Sequence, residues 1–314
     1  MALTIGQMAA AAYPLVLAEM RKPMNQWADN AALKELERVG ALKRVSFGEN
    51  IELPLDYRRN PDAAVLASDQ EESPNLKTEV ITAAVFDIAQ ISVPVTYTKY
   101  DDMRTPDENR KIDFVESLLK NAIETHDDII EQAIFTTTAS GGVELAGLDT
   151  LVPTSGAGTV GGINAAVETW WANFADTYTD ASDIEAAMTE AWNEAAKGSG
   201  SPLAPSLLIS GAEAHATYEA ALQSFQRFMS SGEADGGFKV LAFKSARYVF
   251  SQFGDDKIYF LNPKNFQLLV SKQYFRDQGE TQEFEKQNAF GFKIYSGLQF
   301  VTNQKSRLAV LSRV

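Results

Sequence analysis

Between Leu33 and Leu42 the apolar residues Leu33, Leu36, Val39 and Leu42 recur at helical spacing, within an Ala-rich stretch that Pro14 and Pro23 cut into short pieces. That pattern suits an arm of short helices laid on other surfaces, or equally a helical cap on the main core. From Val45 the period drops to two. Val45, Phe47, Ile51, Leu53 and Leu55 alternate with polar residues, and Ile91, Val93, Val95 and Tyr97 repeat the alternation. The polar stretch between them, punctuated by Asn60-Pro61 and Ser73-Pro74, makes a long two-stranded hairpin the simplest geometry. A lone hairpin is marginal in water because it has no core of its own. It is expected to be covered by the rest of the chain or by a neighbouring copy.

The period then returns to helical and stays there. Over Thr105–Phe135, Ile112, Val115, Leu119, Ala122, Ile129, Ile130 and Ala133 form a stripe that Leu118, Ile123 and Ile134 widen, with no Gly or Pro after Pro106. Thr105 followed by Glu108 is a capping box, and Pro106 suits a first helical position. A helix of about 30 residues is roughly 45 Å long, against an ordinary mean of about 11–12 residues. Such a rod serves something extended. Further on, Ser182 with Glu185 and Ser210 with Glu213 read as capping boxes, each opening a helix, and Leu207 to Ile209 reads as a buried strand between those helices. Short strands follow between Phe238 and Phe250, at Ile258 to Leu261, at Phe266 to Val270, at Phe290 to Ile294, at Phe300 and at Leu308 to Leu311. Arg276 to Lys286 marks an exposed hairpin tip.

Composition removes several kinds of chemistry. The chain of 314 residues has no Cys and only His126 and His215, which leaves little for thiolate or imidazole catalysis or metal binding. A formal charge of −14 argues against gripping nucleic acid through its phosphates. No run of apolar residues is long enough for a membrane span, and the N-terminus has no signal-peptide pattern. The Gly-rich stretch Ser155 to Gly162 lacks both the P-loop lysine and a dinucleotide fingerprint. The acid pairs Asp101-Asp102, Asp127-Asp128 and Asp255-Asp256 read as solvated charge, His126 and His215 as solvent-facing or partner-facing, and Trp170-Trp171 as packing. No catalytic, cofactor-binding or metal-ligating residue is expected, and the residues alone read as a structural protein with arms.

Gly147 to Val152, Thr159 to Asn164 and Trp170 to Asn173, with Pro205 to Phe228, resemble the major capsid proteins of tailed bacteriophages. The likeness continues through KIYFLNPKNFQLLV (Lys257 to Val270) and FEKQNAFGFKIYSGLQFVTNQKSRLAVL (Phe284 to Leu311). No one of these motifs is specific, but their order along the chain is. The resemblance implies an α+β protein with the Johnson fold: an N-terminal arm (1–44), an extended β-hairpin loop (45–98), a peripheral domain with a long spine helix (99–144), and an axial α/β domain (145–256). The returning peripheral strands (257–303) and a C-terminal strand (304–314) complete it. The spine helix would pack through Ile112, Val115, Leu119, Ala122 and Ile130. Contacts between subunits would involve Asp56, Arg58, Arg59, Asp69, Glu71, Glu72, Lys77 and Glu79 of the loop and Glu280, Glu283 and Lys286 of the tip.

The same resemblance implies self-assembly through hexamers and pentamers into an icosahedral head around packaged DNA, held without specific binding, in a virion assembled in the host cytoplasm. Portal and decoration proteins are partners of that role. Because the arm begins close to Met1, a separate scaffolding protein or none is expected. Lys77 reads as a solvated loop lysine and not as a cross-linking one. Between Pro106 and Phe135 eight acids face three bases, so the spine helix is expected to give the lumen a repelling wall. Alternatives are an encapsulin-like compartment, another virion protein such as a tail-tube component, and, in a different class, a hydrolase working through clustered acids.

Overall fold

The computed structural model describes residues 30–61, 63, 79–104, 108–140, 143–226, 241–284 and 288–314. In chain order the elements are α1 (Ala31–Arg38), β1 (Leu42–Val45), β2 (Ile51–Asp56), β3 (Ile81–Phe86), β4 (Ala89–Thr98), α2 (Lys99–Arg104) and α3 (Glu108–Phe135). There follow β5 (Thr138–Ser140), β6 (Val143–Leu145), α4 (Leu148–Leu151), β7 (Thr159–Val160), β8 (Ile163–Asn164), β9 (Phe174–Tyr178) and α5 (Ile184–Ala196). The last third holds β10 (Leu207–Gly211), α6 (Ala212–Gln226), β11 (Leu241–Phe243), β12 (Ala246–Ser251), β13 (Lys257–Leu261), β14 (Phe266–Ser271), β15 (Asp277–Gln278), β16 (Gln282–Glu283), β17 (Ala289–Thr302) and β18 (Ala309–Arg313).

One six-stranded sheet is assembled around β17, a strand of 14 residues. Along one edge β17 runs antiparallel to the whole of β4, from Ala289 opposite Thr98 to Leu298 opposite Ala89. Its other partners are β14, β15 and β16, and β1 adds in parallel beyond β14. Strict alternation along β4 buries Ile91, Val93, Val95 and Tyr97 and exposes Gln90, Ser92, Pro94 and Thr96. The long helix α3 lies against β4, with Val115, Leu119, Ala122, Ile123 and Ile130 buried. Among the described residues no helix is long and apolar enough to cross a membrane.

The second six-stranded sheet has the order β11-β12-β10-β13-β18-β9 and is buried on both faces of its central strands. Period-two alternation divides them between two cores. Leu208, Ile258, Phe260, Ala309 and Leu311 pack with α5 and α6 through Ile184, Met188, Ala191, Ala214 and Tyr218. Leu207, Ile209, Tyr259, Leu261 and Val310 point the other way, into the core that also takes in α3 and the first sheet. Continuous apolar runs such as Leu207-Leu208-Ile209 follow from this double burial.

Several expectations change. Ile91 to Tyr97 is not the return strand of the hairpin; β2 pairs with β3, Glu52 opposite Val85, while β4 belongs to the sheet around β17. The Ala-containing run ITAAVF alternates too weakly to announce itself as the return strand. Val45 lies in β1, apart from the hairpin, so residues 30–45 are a helix and strand built into the body: Leu33 and Leu36 are buried, α1 touches both α3 and β12, and β1 pairs with β14. Lys257–Leu261 pairs with β10 and β18, which places it in the second sheet and not among the returning peripheral strands. The segment from Leu148 to Trp171 packs in the core shared with α3, so the second sheet begins only at Phe174. Neither later capping box forms: Asp183 is the N-cap of α5, and the Ser210 hydroxyl donates to the Gly211 carbonyl at the end of β10. Thr105 and Pro106 lie outside the described residues, as does the Ile112 side chain.

Leu119 is fully buried where α3 meets β4. Leu119→Asp should lower stability by about 3–5 kcal/mol, because it buries a carboxylate without a partner. Asn121→Asp, two residues along on the exposed side, should shift it by less than about 0.5 kcal/mol. Urea unfolding of the unassembled subunit measures both.

Candidate functional site: buried junctions behind exposed contact surfaces

Glu131 on α3 is completely buried and its carboxylate faces the start of α1. Oε1 accepts the Ala32 N–H at 3.1 Å and Oε2 the Leu33 N–H at 2.7 Å, while the Ser251 hydroxyl at the end of β12 donates to Oε1 at 2.6 Å. The first N–H groups of a helix have no partner within it and carry partial positive charge, so a carboxylate there satisfies donors and dipole together. Burial pushes the Glu131 carboxyl above its ordinary range, and these three donors work against that shift. Glu35, almost buried on the same short helix, pairs with Arg38 one turn on and with Arg247 of β12 at 3.1 Å. Through α1 the two sheets are thus joined by ionised groups.

A second junction lies where α3 meets β17 and the turn before β15. His126 is fully buried, with Nε2 2.8 Å from the Ser296 hydroxyl and Nδ1 3.1 Å from Asp127. Asp127 also accepts from the Arg276 guanidinium, and Arg276 takes a positive φ of 54°. Phe275 stacks edge-on to His126, with Arg44 and Arg276 over its faces. This corrects the expectation that His126 faces solvent or a partner. It also thins the acidic face of α3: Glu131 and Asp127 are committed inward, and among the described side chains Glu116, Glu124 and Asp128 remain at the surface. Nearby, buried Gln299 satisfies all its polar capacity, accepting from Ala146 and Phe300 N–H and donating to the Asp87 and Glu144 carbonyls.

One face of the β2–β3 hairpin rests on the body, with Ile51, Leu55, Ala84 and Phe86 buried in the core shared with α3. Gly161, at φ +60°, accepts the Val85 N–H at its carbonyl, 3.0 Å away, and a Cβ there would meet the Ala84 side chain at 2.7 Å. Tyr57 packs on Trp170 with ring centroids 5.3 Å apart, and buried Trp171 donates to the Val160 carbonyl. The Gly-rich stretch is therefore a hairpin seat, and the two tryptophans are packing.

Of the charges expected at subunit contacts, Arg58 is used within the hairpin, where it and Tyr57 donate to the Glu79 carbonyl. Glu283 pairs with Lys99 at 2.8 Å, tying β16 to α2. Asp56, Arg59, Glu79 and Glu280 are exposed and have no ion pair among the described residues. Asp69, Glu71, Glu72, Lys77 and Lys286 lie outside the described residues. The acid pairs do not converge. Asp101 bonds to Thr98 at the start of α2, Asp128 to Gln132, and Asp255 to Lys257. A surface cavity of about 530 Å³ lined by Glu213, Asp255, Asp256, Lys257 and Arg313 has its acids and bases set beside one another. Among the described residues no three His, Asp or Glu side chains are placed to hold a metal.

No family model and no curated protein matches the chain. Solved structures do match. The cyanophage A-1(L) capsid asymmetric unit is similar over 93% of this chain and 95% of its own, at a TM-score of 0.66 and 12% identity. The capsid of a native GTA particle is similar over 93% of each chain, at 0.58 and 10%. A virus-like particle from Pyrococcus furiosus matches over 99% of this chain and 100% of its own, at 0.51 and 11%. At these identities the likeness is one of fold, and it covers nearly the whole of both chains. The molecule has the shell-forming fold of phage capsid subunits. It is the α+β Johnson fold.

Two predictions come from the buried charges. Glu131→Ala strands two helix N–H groups and a hydroxyl, and should cost about 3–5 kcal/mol by urea unfolding. Lys305 is fully buried with its Nζ 3.4 Å from the Ala157 carbonyl, and burial lowers its pKa from 10.5 to about 8. Below pH 8 the amine is charged in both folded and unfolded states and the fold bears the cost. Between about 8 and 10.5 the unfolded chain holds the extra proton, so this residue's contribution to stability rises with pH there. Lys305→Met should be more stable than the parent at pH 7, with the difference shrinking as pH rises through that window.

Proposed function

We propose that this chain is the major capsid protein of a tailed-phage or GTA-type head, assembling through hexamers and pentamers into an icosahedral shell around double-stranded DNA. The observation that carries the reading is the likeness over nearly the full length of both chains to the cyanophage A-1(L) capsid subunit. It is supported by the outward face of the β2–β3 hairpin, where Ile81 and Val85 are exposed and a neighbour would cover them. The loop is laid across the next subunit, and the tip around Glu280 and Glu283 meets other copies where capsomers join. The excess of acid over base, 42 to 28, gives the shell a wall that does not hold the packed DNA. A portal, a decoration protein and either a separate scaffolding protein or none are the partners such a role implies, and the chain acts in the virion without catalysing a reaction.

The likeness to the Pyrococcus furiosus particle, at the lower TM-score of 0.51, supports a second reading as a compartment shell. Negative-stain electron microscopy of the purified protein should reveal closed polyhedral shells, and nuclease-protected DNA in particles taken from the producing cell separates a head from a compartment filled with protein. Unassembled protein at all concentrations, with no rings or shells, overturns both readings.

A further inference from the structure

β4 lies at an edge of the first sheet, and among the described residues its one strand partner is β17. In an antiparallel pair, residues that exchange N–H···O=C bonds with the partner strand alternate with residues whose N–H and C=O point away from it. Two bonds fix which are which. The Lys99 N–H donates to the Asn288 carbonyl, so with Thr98 opposite Ala289 the bonded positions of β4 are Tyr97, Val95, Val93, Ile91 and Ala89. The Lys293 carbonyl, opposite Pro94, accepts the Gly279 N–H on the far side of β17, in agreement. The backbone groups of Gln90, Ser92, Pro94, Thr96 and Thr98 therefore point off the edge of the sheet.

An open strand edge is a template for another strand. β4 is 10 residues long, against a usual length of about 5–6. It lacks the common safeguards: AQISVPVTYT carries no charged residue, and its ladder with β17 runs from Ala89 to Thr98 without a bulge. Among the described residues no backbone group bonds to the outward N–H of Gln90, Ser92 or Thr96. The Thr98 N–H is taken by the Asp101 carboxylate at 3.1 Å, which closes one end of the edge. Pro94 has no N–H to offer, and it stands in the middle of the outward set. If two β4 edges met antiparallel about a two-fold axis at that midpoint, Pro94 would face Pro94 and Ser92 would face Thr96. Shifting the register does not help, since every pairing that spans Pro94 loses a donor from each copy.

We propose that Pro94 keeps β4 from pairing edge to edge with β4 of a second copy of this chain. That contact would be isologous, joining subunits two by two and diverting them from any other assembly. The proposal concerns the free subunit and does not depend on the shell reading.

Pro94→Thr tests it on the full chain, because it restores the donor with a polar, strand-forming residue. The parent, Pro94→Thr, and Pro94→Thr combined with Ser92→Pro are compared by sedimentation velocity. No ladder bond to β17 is touched, so circular dichroism and the urea midpoint should not fall. Pro94→Thr should raise the fraction of dimers and larger unordered species by about tenfold or more, and the double variant, whose proline again lies in the outward set, should return to the parental level. Hydrogen exchange on the free parent reads the edge separately: the amides of Gln90, Ser92 and Thr96 should exchange about a hundredfold or more faster than those of Ile91, Val93 and Val95. Folded Pro94→Thr protein that sediments like the parent overturns the proposal, as does a folded double variant that still associates. Protection of the Gln90, Ser92 and Thr96 amides in the free parent overturns it as well.

Discussion

Three segments far apart in the chain are held at one buried carboxylate. Glu131 leaves water completely, an unfavourable step that is offset only because the opening N–H groups of α1 and the Ser251 hydroxyl all aim at it. The geometry is demanding, since a carboxylate displaced by one helical residue would meet none of them. Once it is met, α1 is fixed across the junction of the two sheets, Glu35 falls beside Arg247, and Arg44 is delivered to Phe275. The position of β1 at the sheet edge is a consequence of the same anchor.

The two sheets solve the burial problem differently. The second sheet sends alternate residues of β10, β13 and β18 into separate cores, so its central strands are apolar throughout and its interior is spent entirely within the subunit. The first sheet is covered on one face by α3 and leaves Gln90, Ser92, Pro94 and Thr96 of β4 open. The β2–β3 hairpin buries Ile51, Leu55, Ala84 and Phe86 against the body and leaves Ile81, Ala83 and Val85 exposed. Large apolar residues left exposed occur on the hairpin at Ile81 and Val85 and also on the body, among them Val45, Met103, Val167 and Phe250.

Where an element declares itself by length or period, the sequence was a good guide. The α3 stripe, the two-period strands of the last third and the α+β order were all legible, but the pairing of the final strand with Lys257–Leu261 was not, because alternation marks a strand and not its partner. Misreadings occurred where the local pattern was ambiguous between partners. Ile91 to Tyr97 alternates better than Ile81 to Phe86, yet pairs with β17, and nothing local distinguishes a strand that finds its partner next door from one that finds it near residue 290. The buried junctions were less visible still. Glu131, Arg247 and Gln299 sit among ordinary charged and polar neighbours, and their partners lie about a hundred residues away or more, so burial could not be inferred. Solvation is the commoner state of a helix His or Glu, and His126 and Glu131 are the exceptions.

The union of β4 with β17 has a mechanical side. Ten residues of β4 are paired in register with β17, and β4 is reached from the hairpin through only Asp87 and Ile88. A load carried along β4 runs parallel to the strand and across its hydrogen bonds. Loaded in that direction, the ladder bonds share the force and must yield together, whereas a pull at right angles would open them one after another. The Gln299 amide, which grips the Asp87 carbonyl, sits at the point where that load enters the sheet. The fold thus follows the hairpin at once with an attachment suited to bear tension.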